Sequence, residues 1–142
     1  VWGYRETDRL GGFDPYSNSK ACAELATAAY RNSFFAADGG ALVATARAGN
    51  VIGGGDWSED RLLPDVFRSL IFREPLLIRS PHAVRPWQHA LEPLSGYMTL
   101  AEKLCGGDRE FAEMWNFGPE ERDAKPVGWI LERIKTLWEG EV

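Results

Sequence analysis

Cysteine, histidine and methionine are scarce, at two of each in 142 residues. Cys22 and Cys105 lie far apart with no ligand-spaced company, so they read as reduced structural thiols rather than a disulfide framework or a zinc site. His82 and His89 also lack a carboxylate or cysteine at metal-ligand spacing, which leaves them structural or surface roles, and no metal is expected. No apolar run approaches the length of about 18 residues that suggests a membrane-spanning helix. No signal peptide is visible either, so the expected compartment is the cytoplasm. Basic residues are scattered, and a net charge of −5 with a pI near 5.1 argues against a nucleic-acid backbone or an anionic membrane as main partner. The Gly-x-Ser-x-Gly elbow of hydrolases, the Walker loop and the Gly-x-Gly-x-x-Gly fingerprint are all missing.

Against these absences stands one dense motif, Asp14-Pro15-Tyr16-Ser17-Asn18-Ser19-Lys20. Asp14 is a good N-cap, Pro15 suits the first helical position, and the spacing puts Tyr16 and Lys20 on one helical face. An ammonium about 5 Å from a phenol favours the phenolate by about 3 kcal/mol at an effective dielectric of about 20. A phenolate so favoured can take a proton from an alcohol, as alcohol oxidation by a nicotinamide requires.

The hydropathy pattern predicts α/β layering in one domain's length of chain. A helix is expected over 15–35, with Ala21, Leu25, Ala28 and Ala29 forming a small-residue face for another helix, including one across a dimer. Asp38-Gly39-Gly40 should end it. The apolar run 41–48 reads as a buried parallel strand. At its carboxyl end, where open α/β sheets bind ligands, comes Gly49-Asn50-Val51-Ile52-Gly53-Gly54-Gly55, with the glycines as a turn. A helix over 63–74, a strand over 76–79, an extended stretch over 84–91 and a helix over 93–104 follow. Residues 115–119 read as a strand end or loop, and 127–138 as a last helix. Arg61, Arg79 and Arg85 fall in or beside loops, and guanidinium groups suit a diphosphate. Trp57 and Trp87 fall in ligand-loop positions.

Together these segments resemble the extended short-chain dehydrogenase/reductase superfamily, within its NAD-dependent epimerase/dehydratase family. The pieces that carry the resemblance are Val1-Trp2-Gly3-Tyr4-Arg5-Glu6, the Tyr16–Lys20 motif, Ala48-Gly49-Asn50-Val51-Ile52-Gly53-Gly54-Gly55-Asp56-Trp57, Asp60-Arg61-Leu62, Arg85-Pro86-Trp87-Gln88-His89 and Trp115-Asn116-Phe117-Gly118-Pro119. Gly-Gly-Gly-Asp-Trp and Arg-Pro-Trp-Gln-His point to the branch acting on CDP-glucose. The resemblance implies part of a Rossmann-like doubly wound parallel sheet plus most of a smaller substrate-binding domain. Residues 1–50 would close the dinucleotide-binding domain, and 51–142 would be mainly substrate-binding, interleaved with returning Rossmann elements. The amino-terminal Rossmann half would lie upstream, so the chain is expected to be a fragment.

The resemblance further implies that Tyr16 is the base and that Lys20 holds the nicotinamide ribose of NAD. Asn50, Asp60, Arg61 and Leu62 would face the sugar nucleotide, Arg85 its diphosphate, and Asn116 its nucleotide end. A homo-oligomer through the Tyr16 helix is expected, as is a place in 3,6-dideoxyhexose synthesis. The rivals are another 4-epimerase or 4,6-dehydratase of the superfamily and a non-catalytic sugar-nucleotide-binding relative.

Overall fold

The computed structural model describes residues 3–37 and 39–138, so Val1, Trp2 and Asp38 of the motifs above lie outside the described residues. In chain order the elements are α1 (Pro15–Phe34), β1 (Thr45–Ala48), β2 (Val51–Ile52), α2 (Leu62–Phe72), β3 (Val84–Pro86) and β4 (Gln88–His89). Then come α3 (Leu91–Cys105), β5 (Met114–Phe117), β6 (Ala124–Pro126) and α4 (Val127–Leu137). They divide into two compact units, the first made of residues 1–48 and 91–117, the second of 49–90 and 118–142.

In the first unit α1 begins as the sequence predicts. The Asp14 carboxylate accepts from the Ser17 backbone N–H at 3.0 Å and from its hydroxyl at 2.6 Å, and Pro15 occupies the first turn. The preceding loop is pinned to that turn by Asn18, whose side chain accepts from the Gly12 N–H at 3.2 Å and donates to the Gly12 carbonyl at 2.7 Å. Gly12 has no room for a side chain, since a Cβ would lie 2.0 Å from that of Ser17. At the other end Arg109 donates to the carbonyls of Phe35, Ala36 and Ala37 at 3.0–3.3 Å, capping a helix terminus where cations are favoured.

The inward face of α1 corrects the expected small-residue face. Ala21 is buried and Ala28 half-buried, but Leu25 is 59% exposed and Ala29 is exposed. Glu24 and Arg31 are buried instead, because each finds a polar partner. Glu24 accepts from the Thr45 hydroxyl at 2.6 Å and faces Arg47 at 3.7 Å, while Arg31 pairs with Glu113 at 3.0 Å. Strands β1 and β5 run parallel, with Thr45 opposite Met114 and Ala48 opposite Phe117. The strand expected over 41–48 is therefore only its last four residues. Helix α3 carries Gly96, where a Cβ would lie 2.3 Å from the Phe117 ring, so no larger residue fits without displacing that ring. Tyr97 meets the same ring edge-on at 5.2 Å.

In the second unit β2 pairs in parallel with β4 and β3 pairs antiparallel with β6. The extended stretch over 84–91 is thus two short strands with Trp87 between them. Residues 76–79, expected as a strand, join no ladder, although Leu-Leu-Ile-Arg has the composition of one. Helix α2 stops at Phe72 because Arg73 turns left-handed, at φ 56°. Helix α4 is tied at its start by the Gly128 N–H to the Pro81 carbonyl at 2.8 Å and the Val127 N–H to that of Ala83 at 3.0 Å.

The buried apolar residues among those described are Ala21, Pro64, Val66, Pro93, Leu100 and Ala112. The length allows a larger core, but sheets of two strands each cannot cover much apolar surface. Cys22 and Cys105 are free and exposed.

Candidate active site

Tyr16 and Lys20 lie one helical turn apart near the start of α1, and the Lys20 Nζ is 5.4 Å from the Tyr16 ring centroid. Both side chains are exposed, Tyr16 by 71%. Exposure matters for the chemistry. An ammonium and a phenolate about 5 Å apart attract by about 1 kcal/mol in bulk water and by about 3 kcal/mol at an effective dielectric of about 20. The pair gains its strength only when a ligand covers it. The Asp14 cap fixes this turn, and hydrogen bonds from Ser17, its hydroxyl first, hold the Asp14 carboxyl below the usual carboxylate range.

Asn116 belongs to the same unit, on β5. Its backbone N–H donates to Glu6 at 2.8 Å and its side-chain amide to the Tyr4 carbonyl at 3.0 Å. Two of the sequence motifs, around residues 4–6 and 115–119, are joined by these bonds.

In the second unit a cavity of about 520 Å³ gathers Asn50, Asp60, Leu62 and Arg85 along one wall system. Asn50 follows β1 in sequence, Asp60 leads into α2, Leu62 is its first residue, and Arg85 stands on β3. Asp60 has a left-handed backbone, φ 59°. Trp87 also lines the cavity, with its indole N–H fixed on the Lys125 carbonyl at 3.0 Å. Leu76, Ile78 and Arg79 line it too, so the unpaired segment 76–79 forms a wall rather than a strand.

Arg61 does not line this cavity. Its guanidinium binds Asp56 at 3.0 Å, inside the loop after the glycine cluster. The Ser58 backbone N–H caps the same Asp56 carboxylate at 3.0 Å, and the bonds from Ser58, followed by Arg61, hold that carboxyl below the usual range. Trp57 is absent from the wall. Asp65 is the charged cavity residue that sequence reading passed over, because an acid in the first turn of a helix ordinarily needs no ligand to explain it.

The architecture is α/β, with two parallel strand pairs and one antiparallel pair. The fold is similar to a dTDP-glucose 4,6-dehydratase from Bacillus anthracis str. Ames, solved in complex with NAD, at a TM-score of 0.75 and 23% identity, covering 96% of this chain and 40% of that one. In sequence the chain is 54% identical over 142 residues to a CDP-glucose 4,6-dehydratase from Salmonella typhimurium, across 97% of its own length. The resemblance read from the motifs is thereby borne out. The chain spans 40% of the length of that relative. No family model matches. No described helix is long and apolar enough to cross a membrane.

Proposed function

We propose that this chain is the active-site helix and substrate-binding portion of an NAD-dependent enzyme that converts CDP-glucose to CDP-4-keto-6-deoxyglucose. What carries the reading is the 54% identity to a CDP-glucose 4,6-dehydratase, joined to a cavity lined by Asn50, Asp60, Leu62 and Arg85. Tyr16 and Lys20, side by side and open, fit the nicotinamide-ribose end of NAD. When bound, NAD would accept hydride from C4 of the sugar and return it to C6.

Tyr16 takes the proton of the C4 hydroxyl as that carbon is oxidised, and Lys20 holds the phenolate and the ribose hydroxyls. The C4 ketone acidifies the C5 proton, water leaves across C5 and C6, and the resulting enone would gain hydride at C6 and a proton at C5. The acid and base for elimination come from outside the residues named here. Arg85 clamps the diphosphate, which its guanidinium binds in a forked geometry. Asn50, Asp60 and Leu62 hold the sugar, and Asn116 serves the nucleotide end. The exposed Cys22, Leu25, Ala26 and Ala29 on α1 support pairing with a second copy of the chain.

The full-length protein carrying this chain should form the 4-keto product from CDP-glucose and form little from dTDP-glucose. No 4-keto product from CDP-glucose would overturn the reading. The 142-residue chain alone is expected neither to bind NAD well nor to turn over, which titration calorimetry checks.

A further inference from the structure

We infer that Asp65 reads the base of the nucleotide, its carboxylate accepting the exocyclic amino group of cytosine and so selecting cytidine over uridine and thymidine nucleotides. This deepens the proposed function and rests on it. The argument is one of donor and acceptor. Cytosine offers an N4 amino donor where uracil and thymine offer an O4 acceptor, and an ionised carboxylate can only accept. A carboxylate held at that place therefore attracts one base and repels the other two.

Asp65 is built for a fixed direction. It sits in the first turn of α2 with a side chain 28% exposed. Its Oδ1 accepts from Arg68 Nη1 at 2.5 Å, and the second Arg68 nitrogen donates to the Trp57 carbonyl. Its Oδ2 has no protein partner among the described residues. Asp60, the other carboxylate of this cavity, is exposed on a loop and has no such brace. Trp87 supplies the second requirement of a base site. It is half-buried, its ring is held by the bond to Lys125, and a flat aromatic wall is what a base stacks on.

The test measures dissociation constants for CDP, UDP and dTDP on the full-length protein and its Asp65→Asn variant. The native protein should bind CDP at least about tenfold more tightly than UDP or dTDP. In Asp65→Asn the side-chain amide can donate to O4, so that preference should shrink to within about threefold or invert. The ratio does not depend on the folded fraction, so a poorly folding variant still reports. An unchanged ratio in the variant, or equal binding of all three nucleotides by the native protein, overturns this inference and leaves the proposed reaction standing. No binding of any of the three overturns both.

Discussion

Arg61 is engaged by Asp56: its Nη1 lies 3.0 Å from Oδ2, an ion pair within one loop of the second unit. The pair closes the segment after the glycine cluster on itself and keeps that guanidinium off the cavity wall. The Asp56 carboxyl is depressed in the folded chain, chiefly by the Ser58 N–H. A depressed carboxyl contributes order above its unfolded value, about 3.9, and loses it as pH falls through the lower folded value. The Ser58 amide resonance should thus titrate with a midpoint below about pH 3.9, and Asp56→Asn should abolish that step.

The same sign applies to the cap of α1. Asp14→Ala should lower the thermal midpoint at neutral pH, and Asp14→Asn should recover most of the loss, because an amide oxygen still accepts from Ser17. The gap between native and Asp14→Ala midpoints should hold above about pH 4 and close in more acid solution. A gap that persists at pH 2 would show that the carboxylate is not its source.

Lys20→Met removes the charge beside Tyr16. With the pair covered by substrate, turnover of the full-length enzyme at neutral pH should fall by about a hundredfold. Tyr16→Phe should lose about a thousandfold, since no phenolate can form.

Glu24 balances charge inside the first unit. The Arg47 Nε faces it at 3.7 Å, and neither Nε nor the buried Nη2 makes a hydrogen bond, so Glu24→Ala leaves that cation less compensated. Loss of one partner of a buried pair costs about 3–5 kcal/mol, and the part-exposure of Arg47 reduces this to about 2–3 kcal/mol. Denaturant unfolding should show that loss, and Glu24→Met combined with Arg47→Leu should regain most of it.

Gly96→Ala tests the contact between α3 and β5. Alanine is favoured over glycine in a helix by about 1 kcal/mol, but its Cβ would collide with the Phe117 ring. A net destabilisation of about 1–2 kcal/mol is expected. A stabilised variant would mean that the ring moves freely.

What could be read from the sequence follows the reach of each signal. The start of α1 was legible because Asp14, Pro15 and Ser17 act within one turn. Its inward face was not, because Glu24 and Arg31 are buried only through Thr45, Arg47 and Glu113, which no local pattern reveals. Residues 76–79 look like a strand by composition, yet a strand exists only where another chain segment offers a ladder. The motifs found Asn50, Asp60, Leu62 and Arg85, which do share a cavity. Arg61 was placed with them by its neighbours in sequence, whereas its nearest anion draws it away. Asp65 looked like an ordinary helix-start acid.

Ala48 and Phe117 are register partners at the carboxyl ends of β1 and β5, and after each of them the polypeptide passes into the second unit. It returns once, between Ala90 and Leu91. Neither unit is therefore a continuous stretch that a single truncation could liberate. Trimming the chain after Ala90 would strip β1 of its ladder mate and β3 of β6 together, so deletion mapping would report simultaneous damage to both halves. Assigning roles by halves here requires point substitutions, because rejoining the ends and cutting at any crossing still leaves the two units alternating along the chain.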